Sequence, residues 1–167
     1  MRGVKLPAAA VCAAAVAVAA APAASATADW ALNGRYLATS NGDWAKTNLV
    51  YRDLPTVRSI WTIAMTCTAY IVCAGRVDSD AGWSADITIT NGEYVVKVDR
   101  PGWEPCPDGT TVDGHQRYRF FPVGPDGFVQ PGSRVFAGFD VTTGRSGGCG
   151  INDKLMIEMP FRLEKLD

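Results

Sequence analysis

The chain has 167 residues, with 16 basic and 17 acidic side chains and a formal net charge of −1. This balance argues against binding to nucleic acid or another polyanion, because such binding needs a positive field. Hydrophobic residues make up 47% of the chain, which is enough for a packed core.

The first 26 residues have the layout of a secretory signal peptide. Arg2 and Lys5 give a positive start, an Ala/Val-rich apolar stretch follows, and Ala24-Ser25-Ala26 is a small-residue cleavage sequence. We therefore expect residues 1–26 to be removed and the mature chain to begin at Thr27. The alternative is an uncleaved membrane anchor, which the Ala-rich composition and the interrupting prolines disfavour.

The mature chain, residues 27–167, is long enough for one domain with its own core and too short for two comfortable ones. Its formal charge is about −3 once the two basic residues of the signal segment are removed. We expect a protein that is secreted, extracellular or associated with the cell envelope, monomeric, and without an integral membrane span after processing.

Four cysteines remain after processing: Cys67, Cys73, Cys106 and Cys149. An even number in an exported chain predicts two disulfides. Three pairings are possible. We favour Cys67–Cys73 because a short hairpin would bring these two together, and Cys106–Cys149 by elimination. A four-cysteine zinc site is the alternative, but no Cys-x-x-Cys occurs and export favours oxidation, so we expect no cofactor.

The longest apolar run of the mature chain, Val57 to Val77, predicts the hairpin that carries the first cysteine pair. On an extended strand Trp61, Ile63, Met65 and Cys67 share one face, and Cys73, Gly75 and Val77 continue that face if the chain reverses between the cysteines.

A second hairpin is predicted over residues 83–99, where apolar and polar residues alternate on both sides of Asn91-Gly92. Asn-Gly favours a two-residue turn with positive φ at both positions. The resulting register places Ile89 opposite Tyr94 and Ile87 opposite Val96. Extended further, it places Ala85 opposite Val98 and Asp86 opposite Lys97.

The rest of the mature chain shows period-two alternation between turn residues and hardly any helical spacing. Within the strand 135–142 the alternation predicts an apolar face of Val135, Ala137, Phe139 and Val141, while the Pro- and Gly-rich segment 101–114 predicts a loop. We expect an all-β fold, a single antiparallel domain of seven to eight strands forming a small barrel or sandwich. The further strand candidates are 34–39, a short irregular strand containing 49–51, 116–121 and 155–163.

No catalytic constellation stands out. His115 is the single histidine, no Gly-x-Ser-x-Gly sequence frames a serine, and we interpret His115 as a solvated loop residue. Asp86, Asp140 and Glu158 fall on outward phases of the predicted strands, so we interpret them as solvated rather than as paired catalytic acids. We predict neither a catalytic residue nor a metal site.

The five tryptophans divide by context. Trp61 and Trp83 lie in phase with apolar neighbours, which predicts core positions. Trp44 and Trp103 lie in sequence typical of loops, which makes them candidates for surface contact with a ligand or partner. Packing against a disulfide is the alternative for these two, and Trp30 is too close to the expected N-terminus to assign.

Several short motifs together resemble a known group of proteins. They are Trp61 six residues before Cys67, the nearby Cys73, Gly82-Trp83, the Cys106-Pro107-Asp108-Gly109 segment, Cys149-Gly150, and Met159-Pro160-Phe161-Arg162-Leu163. This pattern is similar to that of small actinobacterial, especially mycobacterial, exported proteins of unknown function. The resemblance implies a secreted, disulfide-bonded domain and supplies no catalytic residue. The Cys-x5-Cys spacing is wider than the pairing of that group.

The leading functional hypothesis is a non-enzymatic binding or envelope-associated protein. It would bind a small apolar ligand in a barrel mouth, or a protein partner through its loops. One alternative is a secreted hydrolase whose acids converge only in the fold. Another is a protein that resembles protease inhibitors and presents residues 101–114 as a rigid exposed loop.

Overall fold

The computed structural model describes residues 29–167, so the predicted signal peptide lies outside the described residues. The fold is all-β, as predicted. Within the described part of the chain, no helix is long and apolar enough to cross a membrane. The strands are β1 (Asn33–Ser40), β2 (Lys46–Thr47), β3 (Val50–Tyr51), β4 (Val57–Ala69), β5 (Val72–Ser79), β6 (Trp83–Thr90), β7 (Glu93–Pro105), β8 (Thr111–Pro122), β9 (Val135–Gly144) and β10 (Met156–Lys165).

Eight antiparallel strands form a closed barrel in the order β1, β4, β5, β6, β7, β8, β9, β10, and β1 pairs with β10 to close it. The sequence left a barrel and a sandwich as alternatives, and the structure is a barrel. The short hairpin β2–β3 extends the sheet beyond β10. On one side of β10 the neighbouring strand changes from β1 to β2, and Pro160 lies at this change. Proline has no N–H group, but no ladder hydrogen bond is lost on that side because the ladder is already interrupted there.

Aromatic side chains fill the interior. Trp61 is 0% exposed, and its ring lies 4.9 Å from Tyr118 and 5.3 Å from Phe161, measured between centroids. Tyr94 and Phe120 stack at 5.3 Å in the adjacent layer. Since an eight-stranded barrel has an interior just wide enough for side chains to fill, this cluster leaves room for a ligand at the ends of the barrel rather than in its middle.

The two predicted hairpins are confirmed. Cys67 lies directly opposite Cys73 in the β4–β5 ladder, and Ile87 pairs with Val96 in the β6–β7 ladder. That second ladder stops at Ile87, so the expected pairs of Ala85 with Val98 and of Asp86 with Lys97 are not part of it. The Asp86 carboxylate instead lies 3.5 Å from the Arg76 guanidinium.

The predicted phase of β9 is wrong. The inward residues are Phe136, Gly138, Asp140 and Thr142, whereas Phe139 is 50% exposed on the outer surface. Gly138 lies against the β8 backbone, where a Cβ atom would come within 1.9 Å of the Arg119 carbonyl oxygen. The aromatic side chains of the neighbouring strands already occupy the layers beyond Phe136, so β9 turns Gly138, Asp140 and Thr142 inward there and turns Phe139 and Val141 outward.

The segment 101–114 is mostly strand, which corrects the prediction of a loop. β7 continues to Pro105, β8 begins at Thr111, and only a turn connects them. The β7–β8 register shifts between Arg100 and Glu104, and this irregularity explains why the sequence resembles a loop.

The two ends of the barrel differ. At one end Trp30 and Leu32 are buried, and the Tyr94 hydroxyl donates to the Trp30 carbonyl oxygen at 2.7 Å. The segment before β1 therefore plugs that end. At the other end, where β4 begins and β7 ends, a pocket remains open.

Two disulfides are present, Cys67–Cys73 and Cys106–Cys149, separated by 6 and 43 residues in the sequence. The first joins two strands that the ladder already holds together. The second joins the β7–β8 turn to the segment between β9 and β10.

Replacing Cys106 and Cys149 by alanine is expected to lower the free energy of unfolding by about 4 kcal/mol, and replacing Cys67 and Cys73 by about 2 kcal/mol. The difference follows from the larger loop that the second disulfide closes in the unfolded chain. Denaturant unfolding of both double variants measures it. Equal losses, or a larger loss for the shorter loop, would contradict the expectation.

Candidate functional site

The open end of the barrel holds a cavity of about 200 Å³. Five strands contribute to it, since β4, β7, β8, β9 and β10 all reach this end. The lining residues are Val57, Arg100, Trp103, Gln116, Asp140, Thr142, Ile157 and Met159. The cavity combines an apolar wall with a small group of polar side chains, which is the composition of typical small-molecule sites.

The buried polar residues of the described chain all lie at this end. They are Ser40, Gln116, Asp140 and Thr142. Their strands bring them together: Gln116 faces Thr142 across the β8–β9 ladder, and Tyr118 faces Asp140 one step deeper. A polar layer therefore covers the aromatic core and forms the floor of the pocket.

A chain of hydrogen bonds organises this floor. Ser40 Oγ donates to Asp140 Oδ2 at 2.6 Å, and Gln116 Nε2 donates to Asp140 Oδ1 and Oδ2 at 2.7 and 2.8 Å. Arg100 Nε then donates to Gln116 Oε1 at 2.6 Å. The Gln116 amide thus connects a buried carboxyl group to a half-buried guanidinium, and each side chain is held in place by the next.

Burial raises the pKa of Asp140, because a carboxylate is poorly solvated there, while the hydrogen bonds from Ser40 and Gln116 and the charge of Arg100 act in the opposite direction. Burial also raises the pKa of Tyr118, with the charge of Asp140 as a second cause. Arg100 lies 5.5 Å from the centre of the Trp83 ring, so an aromatic face supports the guanidinium.

The irregularity in β7 positions Trp103 at the rim. Gly114 permits this arrangement, because a Cβ atom at that position would come within 2.8 Å of the Trp103 ring. Trp103 is half-buried and lines the pocket. The prediction that it contacts a ligand stays a prediction.

Trp44 lies elsewhere. It ends a short 3-10 turn before β2, is 61% exposed, and meets Tyr51 edge to face at 6.4 Å. Leu49, Val50 and Tyr51 are exposed beside it. The two tryptophans proposed as surface contacts are therefore not brought together, and the role proposed for Trp44 also stays a prediction.

Two of the other sequence candidates, His115 and Asp86, are exposed, whereas Glu158 is partly buried and Asp140 is buried. His115 lies on strand β8 rather than in a loop, and its exposed Nδ1 is 2.8 Å from the Asp99 carboxylate. Asp86 is exposed, and the Glu158 carboxylate pairs with Lys46 at 3.0 Å. The interpretation of Asp140 as solvated is wrong, since the residue is 6% exposed. Residues 29–167 contain no cluster of three or more His, Cys, Asp or Glu that could hold a metal ion.

Four residues of the site were not predicted from the sequence: Ser40, Arg100, Gln116 and Thr142. A signal exists for Gln116: Asp113, His115, Arg117 and Arg119 occupy one phase of β8, so the opposite phase, which Gln116 shares with Tyr118 and Phe120, must face inward. No comparable signal exists in β9, where both phases contain apolar residues.

Comparison with known proteins gives a likeness in fold to a solved structure. No family model matches the chain, and no curated protein matches it. A solved structure described as the monomer form of the M. tuberculosis PknI sensor domain is similar in fold, with a TM-score of 0.58 and 14% sequence identity. The match covers 81% of this chain and 88% of that one. At this identity the likeness shows a shared fold.

The raised pKa of Asp140 predicts that the free energy of unfolding depends on pH. The folded state holds the Asp140 proton more tightly than the unfolded state, in which the pKa is near 3.8. As the pH rises through the interval between the two values, ionisation of Asp140 lowers the free energy of unfolding. Above that interval the loss of unfolding free energy is constant, and below it there is no loss.

Unfolding free energies of the native protein and of Asp140→Asn, measured between pH 3 and pH 8, test this expectation. Relative to the variant, the native protein should lose stability as the pH rises through the interval. Groups other than Asp140 titrate in both proteins and cancel in the difference. A difference that is constant with pH, or that grows in favour of the native protein, would contradict it.

Proposed function

We propose that residues 27–167 form the mature domain of an exported protein that acts by binding, with the open end of the barrel as its ligand site. The proposal depends on one observation, the pocket of about 200 Å³ with apolar walls and a polar floor held by hydrogen bonds. Ligand sites usually measure about 300 to 1,000 Å³, so this volume favours a small ligand or one end of a longer molecule. The two disulfides are typical of proteins in an oxidising compartment, which supports an extracellular or envelope location.

The lining of the pocket supports binding better than hydrolysis. Carboxylate-based glycoside hydrolysis uses two acids at about 5 to 10 Å across the substrate. Asp140 is the one carboxyl group among the described residues that line this pocket, and its oxygens already accept hydrogen bonds. The likeness to a sensor domain also supports a binding role.

A protein partner is a second candidate, favoured by the exposed hairpin. Trp44, Leu49, Val50 and Tyr51 form a patch of large apolar side chains, each more than 60% exposed, along the edge strand β3. Exposed apolar patches and unpaired strand edges are both common features of protein interfaces.

The ligand hypothesis predicts that native mass spectrometry of the protein purified from its host's culture filtrate shows a bound small molecule. Met159→Trp should abolish the added mass, because the larger side chain fills the pocket. Phe139→Trp is the matched control, since Phe139 lies on the outer face of the neighbouring strand. Retention of the molecule by Met159→Trp, or its loss from both variants, would place the binding site elsewhere.

The partner hypothesis predicts that a photoreactive amino acid at Leu49 gives a defined crosslinked product in the producing cells. The matched control position is Phe128, which is 75% exposed in the β8–β9 connection. The same products from both positions, or none from Leu49, would count against an interface on the hairpin.

A further inference from the structure

The floor of the pocket has hydrogen-bonding capacity that the protein does not use. Thr142 is 6% exposed and lines the pocket. Among residues 29–167 the one fully buried side-chain nitrogen or oxygen without a partner is Trp30 Nε1 at the plugged end, so the Thr142 hydroxyl is not enclosed in this way but borders the pocket. The hydroxyl is therefore a donor and acceptor that a ligand in the pocket can reach.

Arg100 has more unused capacity than Asp140. A guanidinium has five N–H donors, and Arg100 uses one on Gln116 and at most one on the Tyr118 hydroxyl. Within the described part of the chain, no carboxylate lies within ion-pair distance of Arg100. At least three N–H groups therefore remain for another acceptor.

Asp140 is nearly saturated by comparison. A carboxylate has about four acceptor positions, and Ser40 and Gln116 together fill three of them. The floor thus offers at least three charged N–H donors of Arg100, against one remaining acceptor position of Asp140 and the neutral oxygens of Thr142 and Gln116. This imbalance favours a ligand that brings oxygen acceptors with negative charge over one that brings an ammonium group, because charge-assisted hydrogen bonds are the stronger ones.

The apolar walls of the pocket indicate the chemistry of the rest of the ligand. Val57, Ile157, Met159 and Trp103 surround the polar floor with apolar surface. A short hydrocarbon chain would remove this surface from water, at about 0.8 kcal/mol for each buried CH2 group. The volume of about 200 Å³ is equivalent to six or seven water molecules, which limits the ligand to a short chain.

We propose that the pocket binds a small monocarboxylate with an apolar tail, the carboxylate held by Arg100 and Thr142 and the tail lying against Ile157 and Met159. This inference rests on the proposed function, because it assigns a chemical class to the ligand of the same site. It gives Arg100 the role of charge recognition and Thr142 the role of a further donor.

The test compares four six-carbon probes: hexanoate, hexanamide, 1-hexanol and hexylamine. Calorimetry gives the dissociation constants, and NMR shifts of the Trp103 indole N–H and the Met159 methyl group locate the site. Hexanoate is expected to bind about tenfold more tightly than hexanamide, because only its oxygens carry the charge. Hexylamine should bind most weakly.

Three variants separate the roles. Arg100→Gln should remove the preference for hexanoate, and Arg100→Lys should restore part of it. Thr142→Val, which keeps the shape, should weaken hexanoate binding about threefold. The matched control is Arg117→Gln, since Arg117 is exposed on the outer face of β8 and should leave all affinities unchanged.

The possible outcomes are distinguishable. If hexanol or hexylamine binds at Trp103 as tightly as hexanoate, or if Arg100→Gln keeps the preference, the carboxylate inference is wrong while binding at the barrel mouth stands. If no probe shifts Trp103 or Met159 at millimolar concentration, the carboxylate inference is wrong, and native mass spectrometry with Met159→Trp decides separately whether the open end binds another ligand.

Discussion

Closure of the sheet through the β1–β10 pairing is the constraint on which the rest of the structure depends. An eight-stranded barrel encloses a fixed and narrow interior, and here Trp61, Tyr94, Tyr118, Phe120 and Phe161 fill it. A ligand therefore cannot occupy the middle of the barrel. The plug of Trp30 and Leu32 fills one end as well, whereas the remaining end keeps a pocket above the polar floor.

The polar floor at that end is a consequence of closing the barrel. The strands continue past the aromatic core, and their inward side chains there are near water but not fully exposed to it. Ser40, Gln116 and Arg100 surround the Asp140 carboxyl group with donors and charge, which offsets part of the cost of burying it. The same network fixes the Arg100 guanidinium at the rim, where a recognition group needs to be rigid.

Much of this fold could be predicted from the sequence because local patterns specify it. The Asn91-Gly92 turn sets the β6–β7 register, and the cysteine spacing sets the β4–β5 pairing. The site could not be predicted in the same way. The inward phase of Asp140 depends on Gly138 and on the volume of aromatic side chains from other strands, and the sequence of β9 alone favours the opposite phase. Arg100 and Trp103 lie beside a β-bulge whose proline and glycine resemble a loop.

The most direct test of a binding site at the open end is an NMR experiment that detects intermolecular nuclear Overhauser effects between the protein and hexanoate. Contacts are expected from the hexanoate chain to the methyl groups of Ile157 and Met159 and to the Trp103 ring. Contacts to Trp30 at the plugged end, or to Tyr51 on the exposed hairpin, without any at the open end, would contradict this expectation.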